Sequence, residues 1–182
     1  FRGLAKLETG DDRGAERQLI MARNLIVDRP EFESDVLSSL AQIAHDRGDH
    51  AESDAWFEQA LEVNPNNILA LNNYAYYLAL RGARPERSVE LAAKVVALSP
   101  GNSNFEDTYA WSLHVSGNSE EALTWIELAI EHDGTSPGAT ILEHAGDILN
   151  ALGRIDDARK RWAAAIDAGG NTSQLRSKID GE

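Results

Sequence analysis

Residues 141–166 read Ile141-Leu142-Glu143-His144-Ala145-Gly146-Asp147-Ile148-Leu149-Asn150-Ala151-Leu152-Gly153-Arg154-Ile155-Asp156-Asp157-Ala158-Arg159-Lys160-Arg161-Trp162-Ala163-Ala164-Ala165-Ile166. In the first half, Leu142, Ala145, Gly146 and Leu149 follow the i, i+3, i+4, i+7 spacing of one helical face. In the second half, Ala158, Trp162, Ala165 and Ile166 do the same. Gly153 lies between the halves and supplies a tight turn without a Cβ. The segment therefore predicts two amphipathic helices joined by a turn.

The same unit recurs along the chain. Glycines stand at Gly10, Gly48, Gly82, Gly117 and Gly153, with gaps of 38, 34, 35 and 36 residues. Val36-Leu37-Leu40-Ala41-Ala44 and Leu71-Tyr74-Ala75-Leu78 give first helices. Ala51-Ala55-Phe57-Ala60-Leu61 and Ala122-Leu123-Ile126-Ala129-Ile130 give second helices. No stretch alternates with period 2 for long enough to form a strand. Asp49 with Glu52, and Asn118 with Glu121, read as capping boxes opening second helices. Ser34 and Ser136 read as N-caps of first helices, with Pro137 at the first helical position. Pro30, Pro65 and Pro100 read as stops after second helices.

These residues resemble the tetratricopeptide-repeat family, whose unit of about 34 residues follows a W-x2-L-G-x2-Y…A-x3-F…P pattern. Leu37-Leu40-Ala41-Ala44 with Phe57-Ala60-Pro65, and Leu142-Ala145-Gly146-Leu149 with Ala158-Trp162-Ala165, carry the match. The resemblance implies an all-α right-handed solenoid of about five helix-turn-helix units, because one helix pair buries both its faces only by stacking on neighbours. The units run over about 1–33, 34–67, 68–102, 103–137 and 138–170. Residues 171–182 read as a short capping helix around Leu175 and Ile179, or as the start of another unit. The first unit departs from the pattern in its long exit, Asp28 to Glu33. The third has an extra residue near Arg84-Pro85 and Val95 where the family prefers Ala. The fourth has Gly134 in place of Pro. Asp107-Thr108-Tyr109-Ala110-Trp111 and Ile141-Leu142-Glu143-His144-Ala145-Gly146-Asp147 are similar to bacterial members of the family.

By that resemblance, first helices line a concave groove. Mapping by phase places Asp35, Ser38, Gln42, His45 and Asp46 of one unit there, then Asn72, Asn73 and Tyr76, then Asp107, Trp111 and His114, then Glu143, His144, Asp147 and Asn150. No Lys or Arg is in this set. Co-chaperones of the family hold a peptide's terminal carboxylate with a Lys/Asn clamp. Asn73 falls on a clamp-like position, but Ser38 and Gln42 stand where the clamp has Lys and Asn. The set therefore predicts an acidic, aromatic-containing groove that prefers a neutral or basic segment, with Tyr76 and Trp111 as flat anchors. His45, His114 and His144 beside carboxylates suggest a pH-sensitive groove.

Composition narrows the function classes. Lys and Arg number 17 against 30 Asp and Glu, a formal charge of −13. With no basic stripe, nucleic acid is not an expected partner. Without cysteine there is no thiol nucleophile, disulfide or Cys-ligated metal. No apolar run reaches 18 residues, so no membrane insertion is expected. His144 and Asp147 share a helical face beside Glu143, but there is no HExxH, and no metal or cofactor is expected. Gly134-Thr135-Ser136-Pro137-Gly138 spells G-x-S-x-G, yet that motif needs a strand before it and a helix after it. The spelling here lies between two helices. Asn171-Thr172-Ser173 spells a glycosylation sequon.

The expectation is a non-catalytic protein-interaction module that binds a partner segment. The alternative is a structural or self-association spacer of a larger bacterial assembly. The chain begins at Phe1 without a leader and reads as a fragment of a longer protein. Its compartment stays open between cytoplasm and a periplasmic or envelope-associated location.

Overall fold

The computed structural model describes residues 12–23 and 28–181. Among them ten helices follow one another, and no strand occurs. They are α1 (Asp12–Arg23), α2 (Pro30–Asp46), α3 (His50–Val63), α4 (Ile68–Leu80), α5 (Pro85–Leu98), α6 (Ser103–Val115), α7 (Ser119–His132), α8 (Ala139–Ala151), α9 (Ile155–Asp167) and α10 (Thr172–Asp180). Helix α2 packs on α3, α6 on α7 and α8 on α9, each pair joined by a short turn. Gly48 and Gly153 turn the chain at φ +84° and +75°, a region that costs a side chain about 1–2 kcal/mol. The expected Gly10 turn and the start of the unit at 1–33 lie outside the described residues. The chain forms two compact units, 1–74 and 75–182, and α4 carries the boundary.

In the N-terminal unit, Ala15 and Leu19 of α1 pack with Val36, Leu40 and Ile43 of α2. Phe57 of α3 stacks on Tyr74 of α4, centroids 5.1 Å apart and planes 13° from parallel. Both rings are fully buried, and each large apolar side chain so enclosed contributes about 1.5–3 kcal/mol. In the C-terminal unit, Ala110 and Leu113 of α6 meet Ala122, Ile126 and Ala129 of α7 and Ile141, Ala145 and Ile148 of α8. A second cluster joins Leu142 and Leu149 of α8 to Ala158, Trp162 and Ala165 of α9 and to Leu175 of α10. The alanines have no exposed surface, which lets the helices approach while Leu, Ile and Trp fill the space between.

Three local expectations are corrected. Pro30 opens α2 at its first turn instead of stopping the preceding helix. Proline fits there because the first-turn N–H has no helical partner in any case. Ser34 is therefore inside the helix and not its cap. Its buried hydroxyl donates to the Ala60 carbonyl at 2.8 Å and accepts from Asn67 Nδ2 at 2.9 Å. Ser136 and Pro137 precede α8 without capping it. Gly138 is the N-cap, and its N–H donates to Asp133 Oδ2 at 2.8 Å. Asp49 and Asn118 do occupy N-cap positions, but neither side chain bonds the helix amides. The Arg47 guanidinium draws the carboxylates of Asp49 and Glu52 to itself. Asn118 donates to Ser116 Oγ instead.

Candidate functional site

Consecutive first helices repeat at about 34 residues, so residues of equal phase come together in space. In the C-terminal unit this brings Tyr76 of α4, Asp107, Trp111 and His114 of α6, and Glu143, His144 and Asp147 of α8 onto one connected surface. Asp107 and Trp111 are one helical turn apart and bracket His144. The imidazole Nδ1 lies 2.8 Å from Asp107 Oδ1. The Trp111 indole stacks on the imidazole at 4.2 Å with planes 13° apart. His114 lies 5.0 Å from the Trp111 ring, and Tyr76 lies 6.4 Å from His144. Four rings thus form a chain along the helices.

The sequence pattern counts Asp107 and His144 among residues that face a partner, but the structure buries both, at 6% exposure each. They are a support for Trp111 rather than a contact surface. Tyr76, Trp111 and His114 keep part of their surface exposed. The Trp111 indole N–H is enclosed without a hydrogen-bond acceptor. Burial pulls the His114 imidazole below the usual histidine range, with Asp147 opposing and His144 adding to the shift. His114 is thus mostly uncharged at neutral pH, which weakens the expected pH response at that residue. The Tyr76 phenol is raised, first by burial and then by Asp107 and Glu143.

The expectation of a first-helix surface with no cation is also corrected. Lys178 of α10 bonds Glu143 Oε1 at 2.7 Å and the two Asp147 oxygens at 2.8 and 2.7 Å. Burial lowers the Lys178 ammonium, but its bonds to Asp147 and Glu143 outweigh this and hold it above its ordinary range. Asp147 also accepts from Trp162 Nε1 at 3.0 Å. Lys178 stands 34 residues after His144, one period on, so the repeat itself is the signal that locates it. Reading residues 171–182 only through Leu175 and Ile179 passes over it.

In the N-terminal unit, Gln42 and Asp46 are exposed on α2, and Ser38 is half-buried. Asp35 is exposed but accepts from Asn67 Nδ2 at 2.9 Å. The His45 ring lies 5.4 Å from that of His50. Asn72 and Asn73 are half-buried neighbours on α4, and Asn72 Oδ1 is enclosed without a donor. Ser136 is exposed in the loop before α8, with no strand beside it. Among the described residues no group of three or more His, Asp or Glu side chains is placed to hold a metal. No described helix is long and apolar enough to cross a membrane.

Residues 34–67, 56–90 and 108–127 each match a sequence family described as tetratricopeptide repeat. No curated protein sequence matches the chain. Among solved structures, one described for PilF of Pseudomonas aeruginosa is 18% identical and superposes at a TM-score of 0.77, covering 98% of this chain and 84% of that one. MamA from Desulfovibrio magneticus RS-1 is 15% identical at a TM-score of 0.76, covering 92% and 90%. The protein TTC0263 of Thermus thermophilus, described as a thermophilic TPR protein, is 14% identical at 0.72, covering 98% and 94%. At these identities the likeness concerns the fold, an all-α helical-repeat solenoid.

Proposed function

We propose, because this chain is a tetratricopeptide-repeat protein, that it is a non-catalytic module that binds another protein. Its contact surface in the C-terminal unit centres on Trp111, Tyr76 and His114. The observation that carries this reading is the stack of Trp111 on His144. A buried aspartate and an imidazole hold a partly exposed indole in one orientation, and a rigid aromatic platform binds with little loss of side-chain freedom. The fitting partner is an extended or helical segment with an aliphatic or aromatic side chain over Trp111. Its charge is neutral or basic. In the C-terminal unit a segment ending in a free carboxylate meets Glu143 and Asp147, and the neighbouring Lys178 is already bound to both. A basic residue directed at Glu143 and Asp147 competes with Lys178, which favours neutral segments on that stretch.

A peptide array with neutral, lysine-containing and glutamate-containing members, probed with the full chain, tests the reading. Neutral and basic members bind, and Trp111→Ala or Tyr76→Ala weakens them about tenfold or more. Binders indifferent to both substitutions would overturn it. Exposed Ile20 and Met21 on α1 support the second reading, a self-associating spacer. Light scattering at rising concentration separates the two, since a strict monomer excludes the spacer.

A further inference from the structure

The geometry points to a second binding site, for a single carboxylate side chain of a partner segment, in a cleft between α7 and α9. The cleft has a volume of about 340 Å³ and is lined by Glu127, Arg154, Asp157, Lys160 and Arg161, with Leu149 and Ala164 as its apolar part. None of these residues belongs to the aromatic surface. The chain carries 30 acidic against 17 basic residues, yet Arg154, Arg159, Lys160 and Arg161 fall within eight positions.

The lining charges are partly satisfied already. Arg154 donates through Nε and Nη2 to Asp157 Oδ2, Lys160 donates to Asp157 Oδ1, and Arg161 Nη2 donates to both Glu127 oxygens. These bonds fix the guanidinium planes and leave Arg154 Nη1 and Arg161 Nε and Nη1 uncommitted. A carboxylate suits those donors, because a guanidinium offers paired N–H groups in one plane. Three cations against two carboxylates leave one positive charge, which matches one carboxylate. A dianionic phosphate is disfavoured by Glu127 and Asp157 beside it. The apolar part accepts the methylenes of a glutamate stem, and the volume is enough for one such side chain. The occupant is therefore a glutamate-bearing peptide, and free anions are the competing source.

The test is a titration of the full chain with a short capped peptide carrying one glutamate between neutral residues, read by NMR at the arginine Nε–H resonances and the α9 amides. The expected result is a saturable shift at Arg154, Arg161 and α9. It is absent with the glutamine peptide and about tenfold weaker in Arg161→Gln. Lys160→Gln, at a side chain 76% exposed, weakens it in the same direction and serves if Arg161→Gln does not fold. Equal shifts with the glutamine peptide would overturn the site. So would tighter saturation by inorganic phosphate than by the glutamate peptide, or no saturation in the millimolar range.

Discussion

Gly146 of α8 lies directly under the Trp162 indole. A Cβ built on Gly146 falls well inside any allowed contact with Trp162 Nε1 and Cδ1, and 3.0 Å from Cε2. Gly146→Ala therefore sets two effects against each other. Alanine in a helix interior is favoured over glycine by about 1 kcal/mol. Against this, Trp162 is 3% exposed and held on the other side by the α10 cluster, so it has little room to withdraw. Forcing a methyl into such packing costs about 1–3 kcal/mol. Moving the indole also weakens its bond to Asp147, and a hydrogen bond to a charged group is worth about 1.5–3 kcal/mol. The balance is a net destabilisation of about 2 kcal/mol or somewhat more. Urea titration followed by tryptophan fluorescence measures it. Gly138→Ala is the control: the added carbon meets only Asp133 Oδ2 at 3.7 Å, an ordinary contact, and the stability change is expected within about 0.5 kcal/mol. Trp162→Phe in the Gly146→Ala background removes the clashing ring edge, so the double variant loses less than the sum of the singles. If Gly146→Ala is as stable as the parent, or more so, Trp162 does not pack against Gly146 closely enough to exclude a methyl.

Two further outcomes follow from side-chain hydrogen bonds. His132 Nδ1 lies 2.7 and 2.9 Å from the Glu106 oxygens, and that hydrogen bond, more than the Glu106 charge, raises the His132 pKa. The folded value exceeds the unfolded one, so the stabilising contribution is complete below the unfolded histidine pKa of about 6.5 and is lost as pH rises through the folded value. The stability difference between the parent and His132→Ala, from urea titrations across neutrality, should shrink as pH rises, while the slope contributed by His114 is common to both. Asn67→Ala removes the acceptor for the Ala70 amide and the donor to Ser34 and Asp35, and should cost about 1–2 kcal/mol in the same titration.

The repeat was legible because it rests on local periodicity. Leu142, Ala145 and Leu149 announce a helix face by their spacing alone, and Gly153 announces its turn. Both depend on backbone geometry within a few residues. The helix starts were less legible. Pro30 reads as a stop and Ser34 as an entry, but Pro30 opens the helix, and Ala60 and Asn67, far away in the chain, capture the Ser34 hydroxyl. Asp49 had the spacing of a capping box, but Arg47 offered its carboxylate a stronger partner. Ala60 and Asn67 lie outside any short window around Ser34, whereas Arg47 is only two residues from Asp49 but is no part of the capping-box spacing.

For the site, phase assigned Tyr76, Asp107, Trp111, His114, Glu143, His144, Asp147 and Asn150 to the first helices of successive units; the first seven converge in the C-terminal unit, and Asn150 is exposed at the end of α8. The sequence by itself determined that much, since equal phase in stacked units means spatial neighbourhood. Tertiary structure alone decided which of them face solvent. Asp107 and His144 pair with each other across α6 and α8 and are buried, whereas Trp111 keeps part of its surface exposed although its indole N–H is enclosed. It also decided the charge of the surface. The acids counted along the chain were unopposed, but folding sets the Lys178 ammonium within 2.8 Å of Glu143 and Asp147. Charge is compensated across space, and distances of this kind are set by how helices stack, not by the order in which their residues are written.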